Sequence, residues 1–216
     1  MSEPSEKAEK ITLRDAYAIR TVEDSLALYD KWAETYDEGF AKAVDYRTPD
    51  LIAEMYAERA DDKSAPVLDI GAGTGLVGEG LVARGVSQID ALDISTKMLE
   101  VAARKKLYRA MIVADLNKVM DIADNSYAGF TSTGTFTHGH VGPDALDQLL
   151  RIGRPGALYV LGIKAAIFES AGFDAKFKAL APQLADFEII EKAGYGDMAS
   201  EDLQASTTAV AVFHKA

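Results

Sequence analysis

The apolar positions of this chain fall into short continuous runs separated by stretches of helical spacing, and the two alternate along most of its length. A brief uninterrupted apolar run reads as a strand buried on both faces, whereas apolar residues recurring every three or four positions read as an amphipathic helix. On that basis residues 65–70 are a strand and 76–84 a helix. Residues 88–93 are a second strand, followed by a helix over 95–106 that Ser95 or Thr96 can cap. Residues 110–115 make a third strand and 127–133 a fourth. The next helix spans 143–152 with Pro143 at its opening and Pro155-Gly156 as its stop, and 157–163 is a fifth strand. After a helix over 173–184 come two strand-like runs, 187–193 and 207–214, joined by a polar link too short for a helical crossover, so these two should be antiparallel. The alternation predicts an α/β fold: a doubly wound, Rossmann-like sheet of seven strands, mostly parallel with an antiparallel final strand, and helices on both faces.

The first strand ends in an unusual turn. Asp69-Ile70-Gly71-Ala72-Gly73-Thr74-Gly75 joins a carboxylate to alternating glycines just before a helix. Glycines at that spacing let the backbone turn sharply and come closer to a ligand than a Cβ would allow. The segment Gly73-Thr74-Gly75-Leu76-Val77-Gly78 also fits the dinucleotide fingerprint, and Asp93 stands at about the offset of a ribose-binding carboxylate. A nicotinamide cofactor and a purely structural glycine turn are therefore both open on the loop alone. Asp69 weighs against a dinucleotide, because a carboxylate there would crowd a pyrophosphate, and the antiparallel tail is a second discriminator.

The strand, the acidic residue and G-x-G-x-G resemble motif I of the class I S-adenosylmethionine-dependent methyltransferases, and the resemblance extends over about residues 25–214. It implies S-adenosylmethionine as cofactor. It further implies that Asp69, Ile70, Gly71, Ala72, Gly73, Thr74 and Gly75 hold the methionine end, with free N–H groups of the following helix nearby. Asp93, ending the second strand, would accept both ribose hydroxyls. Ile94 and Met98 would flank the adenine, Asp115 would accept from its amino group, Leu116 would offer its backbone N–H, and Thr133 would complete the cofactor contacts. Taken singly, each has a plainer use: an Asp after a strand is a common turn former, and Met98 or Ile94 a common core residue.

Upstream, Tyr29, Trp32 or Ala33, and Tyr36 share one helical face. That stripe is either ordinary packing or, as a Y-x-x-W-A-x-x-Y-D segment before motif I resembles in small-molecule methyltransferases, part of a lid, with the Tyr36 hydroxyl donating toward the methionine carboxylate. Residues 1–40 are thus expected to be an N-terminal helical lid segment and 41–216 the methyltransferase domain, within a single structural unit.

Composition narrows the function classes. With 48% hydrophobic and 26% charged residues in 216, the chain can build one sizeable core. It has no cysteine, which excludes disulfides and thiolate metal sites, and its three histidines lack ligand-like spacing. A net charge of −11 disfavours a nucleic acid partner. The first ten residues do not read as a signal peptide and no membrane span is visible, so the expected compartment is the cytoplasm and no membrane partner is expected.

The loop 132–143, after the fourth strand, carries T-x-T-H-G-H-V and lacks the (D/N)-P-P-(Y/F) motif of amino-group nucleic-acid methyltransferases. It resembles, loosely, the Williams-Beuren syndrome region methyltransferase-like subgroup. His138 is the candidate general base, since imidazole titrates near neutrality, and a loop histidine bonded to backbone is the plainer alternative. Two functions follow: methyl transfer to a small-molecule acceptor, or a catalytically silent S-adenosylmethionine-binding module.

Overall fold

A computed structural model describes residues 21–137 and 141–216. Ahead of the sheet lie α1 (Val22–Trp32), a 3₁₀ turn (Ala33–Thr35), a π-helical turn (Tyr36–Ala41) and α2 (Thr48–Arg59). The remaining elements are β1 (Val67–Ile70), α3 (Leu76–Ala83), β2 (Ile89–Asp93), α4 (Thr96–Arg104), β3 (Ala110–Val113), β4 (Tyr127–Phe136), α5 (Ala145–Ile152), β5 (Gly153–Lys164), a 3₁₀ turn (Ala165–Ile167), α6 (Phe173–Leu180), a 3₁₀ turn (Ala181–Gln183), β6 (Leu184–Ala193), α7 (Glu201–Gln204) and β7 (Thr207–Lys215).

The seven strands form one sheet in the order β3-β2-β1-β4-β5-β7-β6. β1 pairs in parallel with both β2 and β4, so the chain moves outward on one side through β3 and then crosses to the other. β7 runs antiparallel to both neighbours, β5 and β6. The expected architecture is therefore present, with the antiparallel strand inserted beside the outermost one.

Both faces of the sheet are covered, which explains the continuous apolar runs. Along β5, Tyr159, Leu161 and Ile163 face a cluster with Leu146, Leu149, Phe173 and Phe213, whereas Leu158 and Val160 face Ile52, Tyr56, Val210 and Val212. The rings of Phe130, Tyr159 and Phe213 stack across three strands at centroid distances of 4.4 and 4.5 Å. Gly129 is required by this packing, since a Cβ there would lie 1.9 Å from the Tyr56 hydroxyl.

Local chemistry sets several element ends. The Ser95 hydroxyl accepts from Met98 N–H at 3.1 Å and caps α4, and Thr21 caps α1 through Asp24 N–H. Other boundaries differ from the sequence expectation. α5 stops at Ile152, where Gly153 turns extended, and Pro155-Gly156 lies inside β5. α6 ends at Leu180, four residues early, because Pro182 lacks the N–H a continuing helix needs and the chain tightens to a 3₁₀ turn. The link between β6 and β7 contains α7 and folds back on the start of the chain, where Tyr46 bridges Tyr195 and the Thr48 hydroxyl donates to Gly194 C=O.

Candidate functional site

β1 and β4 are adjacent but lead to opposite halves of the sheet, so a crevice opens beyond their carboxyl ends. A cavity occupies it. Its walls include the glycine turn, the ends of β2 and β3, the segment after β4, and the aromatic face of the N-terminal helical stretch.

The glycine turn has the shape its sequence promised. Gly71, Gly73 and Gly75 have φ of +62°, +54° and +93°, a region that side chains avoid. Gly73 faces open space: the nearest atom to a Cβ built there is the Gly71 carbonyl at 4.0 Å. Gly71 is crowded instead by Thr135, whose hydroxyl, with that of Ser132, donates to Ile70 C=O at 3.1 and 2.9 Å and fixes the end of β1 against β4. Gly75 caps the start of α3, backed by Tyr108.

Asp93 joins the turn to the next strand. Its carboxylate accepts from Gly73 N–H and from Ser95 N–H, both at 2.8 Å, which leaves acceptor capacity directed at the cavity. Burial raises its pKa against the pull of these amides. Asp115, past the end of β3, also lines the cavity, yet its carboxylate forms the turn that a sequence reading allows, accepting from Asn117 N–H at 2.9 Å with Lys118 at 3.3 Å.

Asp69 is placed differently from the other acids. It is fully buried beneath the turn and absent from the cavity lining; it accepts from the Tyr108 hydroxyl at 2.7 Å and the Thr131 hydroxyl at 3.1 Å. Burial pushes its pKa up to about 7, the two hydroxyls lower it, and the nearby charge of Asp93 raises it further. The ring of Tyr108 fits because Gly78 is bare; a Cβ there would sit 2.3 Å from the Tyr108 oxygen. The glycine that could have served a dinucleotide fingerprint makes room for this tyrosine.

Of the expected cofactor residues, the structure gathers Tyr36, Gly71, Ala72, Gly73, Thr74, Asp93, Ile94, Met98, Asp115, Leu116 and Thr133 around one cavity. Asp69, Ile70 and Gly75 stand behind the wall. His138 lies outside the described residues, although Thr137 before it and Val141 after it both face cavities.

The N-terminal stretch presents two faces. Tyr29, Trp32, Tyr36 and Phe40 form a run of ring contacts, with Trp32–Tyr36 at 5.0 Å and Trp32–Phe40 at 4.9 Å. Burial among neighbouring tyrosines raises the Tyr36 pKa well above its usual value, so the hydroxyl keeps its proton and can donate. The other face is acidic, and sequence reading missed its task. Asp30 accepts from the Ser95 hydroxyl at 2.7 Å, Glu34 pairs with Arg104 through both oxygens, and Asp37 accepts from the Thr74 hydroxyl and pairs with Lys105 at 2.7 Å. The i, i+4, i+7 spacing of these acids was the available signal. Tyr46 and Tyr195 were also missed, and no periodicity marks either. The Tyr46 hydroxyl lies 3.1 Å from that of Thr133.

A second cavity adjoins the first and shares Tyr29, Tyr36, Tyr46, Thr133 and Gly134 with it. Its other walls come from Trp32, Phe40, Phe136, Thr137, Tyr195 and the ends of β5 and β7. Among the described residues there is no cluster of His, Asp and Glu able to hold a metal ion, and no helix is long and apolar enough to cross a membrane.

The sheet order, the positive-φ glycines and the acid that ends β2 are those of the Rossmann-like methyltransferase fold. Residues 68–161 match the family model described as a methyltransferase domain. It is similar to human methyltransferase-like protein 27, with 30% identity over 152 residues, or 69% of this chain; the match spans 61% of that relative's length. Among solved structures it resembles the [4+2]-cyclase SpnF, with a TM-score of 0.68 and 16% identity over 91% of this chain and 97% of that one. It also resembles a chain of the complex containing the Haloferax volcanii Trm112 methyltransferase activator, with a TM-score of 0.62 and 16% identity over 87% and 97% of the two chains. These structural likenesses are likenesses of fold, and a fold hosts more than one chemistry.

Proposed function

We propose that this protein binds S-adenosylmethionine and transfers its methyl group to a small-molecule acceptor. The observation that carries this reading is the second cavity, which continues the first through shared walls at Tyr36 and Thr133. A domain that only binds the cofactor has no use for such a space, and a filled space at that place would favour the silent module.

The residues fit the cofactor by shape and donor set. The bare backbone at Gly73 leaves a cradle that any Cβ would narrow. Asp93 offers oxygen lone pairs to a diol, Ile94, Met98 and Leu116 give apolar walls suited to a purine, and Tyr36 supplies a donor. Asp69 acts in this reading through the turn it supports, by holding Tyr108 and β4 in place.

Bound S-adenosylmethionine supplies a methyl group already activated on a sulfonium. The chain's task is to align the acceptor with it and exclude water. The aromatic face of the N-terminal stretch does the second by covering both cavities. Where an acceptor carries a proton at neutral pH, His138 is the proposed base, on the strength of its place between Thr137, at the second cavity, and Val141, at the first.

The net charge of −11 and the ring-lined second cavity both support a small acceptor over a nucleic acid. The test is incubation of the protein with a metabolite extract and methyl-labelled S-adenosylmethionine, alongside calorimetry of cofactor binding. Label should appear in a small product. Strong NAD binding, or cofactor binding with no labelled product from any extract, would overturn the methyl-transfer reading.

A further inference from the structure

Thr74 carries the one polar side chain of the glycine turn, between Gly73 and Gly75. It is 1% exposed, and its hydroxyl donates to the Asp37 carboxylate at 2.5 Å. The other oxygen of Asp37 pairs with Lys105 Nζ at 2.7 Å, and Lys105, at the end of α4, also reaches Glu79 in the first turn of α3. One carboxylate of the N-terminal stretch thus ties the turn to the helices on either side of it. Only 24% of the Asp37 side chain and 17% of that of Lys105 are exposed, so solvent screens this pair less than Glu34–Arg104, at 65% and 60%.

A parallel contact stands one loop away. Ser95 donates its N–H to Asp93, and its hydroxyl, which accepts from Met98 N–H, donates to Asp30. Asp93 therefore accepts amide bonds from two loops, at Gly73 beside Thr74 and at Ser95, and an acid of the N-terminal stretch fastens each of them.

We propose that Asp37 is a positioning residue for the cofactor cradle: by accepting from Thr74 it fixes the glycine turn in the shape that presents Gly73 to the ligand and to Asp93. This rests on the reading of the first cavity as the S-adenosylmethionine site. Backbone bonds hold the flanks of the turn, from Ala72 N–H to Leu92 C=O at 3.0 Å and from Gly75 N–H to Ala72 C=O at 2.8 Å. Between them Gly73 and Thr74 are held by the two carboxylates, Asp93 and Asp37. Glycine loses more conformational freedom on ordering than any other residue, and a turn with three glycines at positive φ has few side chains to restrain it. Taking the Asp37 carboxylate away leaves a buried hydroxyl without this acceptor, and the turn gains alternative shapes that a bound ligand must select against. Asp37 also directly follows Tyr36, which walls the cavity, so the turn and the aromatic face are set by one short segment.

The experiment is calorimetric titration of S-adenosylhomocysteine into the full chain and its variants, with urea unfolding to check that each variant is folded. Asp37→Ala should weaken binding about tenfold, the usual worth of a hydrogen bond to a charged acceptor. Asp37→Asn loses the pair with Lys105 but keeps an oxygen that accepts from Thr74, and should recover affinity to within about threefold of the wild type. Thr74→Val removes the donor at nearly constant shape and should also cost about tenfold, while the double variant with Asp37→Ala should be no more than about twofold weaker than the weaker single one. Glu34→Ala, which breaks the exposed pair, should stay within about twofold of the wild type. A part that is only structural would lower the unfolding midpoint and leave affinity alone. Wild-type affinity in folded Asp37→Ala or in Thr74→Val, no recovery in Asp37→Asn, or losses that multiply in the double variant would each overturn the assignment. Thr74→Val decides the matter alone if Asp37→Ala does not fold. Failure of S-adenosylhomocysteine to bind the wild-type chain is a different result, which sinks the cofactor reading and this assignment with it.

Discussion

Replacing Asp69 by Asn should change how stability depends on pH. The carboxyl group is fully buried, and burial pushes its pKa up to about 7 from a usual 3.8. Between those two values the folded chain holds a proton that the unfolded chain has released. Stability from this group is therefore fully present below about pH 4 and drains away as pH rises through about 7. A difference of about three pKa units at 1.36 kcal/mol each gives about 4 kcal/mol as the upper bound. An amide has the shape of the protonated acid and cannot ionise, so Asp69→Asn should lack that slope. It can still accept from the Tyr108 hydroxyl and donate toward Thr131. Urea unfolding from about pH 4 to about pH 8.5 should show the two proteins within about 1 kcal/mol at the acid end and the variant ahead by about 2–4 kcal/mol at the alkaline end. Parallel pH profiles would refute the reasoning. The same variant separates two roles for Asp69: a direct contact with the methionine ammonium predicts about a tenfold or larger loss of S-adenosylmethionine affinity, whereas support of the turn from behind predicts little change.

Further outcomes follow from the same geometry. Asp93→Ala should weaken S-adenosylmethionine by about 1.5–3 kcal/mol in calorimetry, and unchanged affinity in a folded variant would remove Asp93 from the site. Gly73→Ala and Gly78→Ala should part company: the first strains φ = +54° and narrows the cradle, lowering cofactor affinity with about 1 kcal/mol of destabilisation, while the second drives a Cβ to 2.3 Å from Tyr108 and should lower the unfolding midpoint far more. Amide exchange across residues 22–41 should slow when S-adenosylmethionine binds, and equal protection with and without it would leave the aromatic stripe as packing alone. His138→Gln should spare cofactor affinity and lower turnover by about 10²–10⁴-fold, with the wild-type rate falling as pH drops through the histidine pKa; full turnover in the variant would show that the acceptor needs no base there.

The strand–helix alternation, the glycine turn and the acid that ends β2 were legible in the sequence, because each is a local requirement. A strand buried on both faces must be apolar throughout, a backbone at φ of +54° to +93° needs glycine, and a parallel sheet returns its strand ends to one edge. Boundaries were less legible. Pro182 ended α6 before the apolar spacing did, and Pro155-Gly156 sat within β5, because pairing of Gly153 with Tyr127 extends that strand back to the helix end. What only the tertiary structure decided concerns residues far apart in the chain. The direction of Asp69 was settled by Tyr108, 39 positions away, and by the bare Gly78 that admits its ring. The acidic face of the N-terminal stretch gained its meaning when Ser95, Arg104, Thr74 and Lys105 came beneath it. Tyr46 and Tyr195 became walls of one cavity with the end of β5 through the fold-back of the β6–β7 link onto the segment before α2. Periodicity reports which side of an element is buried; which atoms meet there depends on how distant elements pack, and that information is spread over the whole chain.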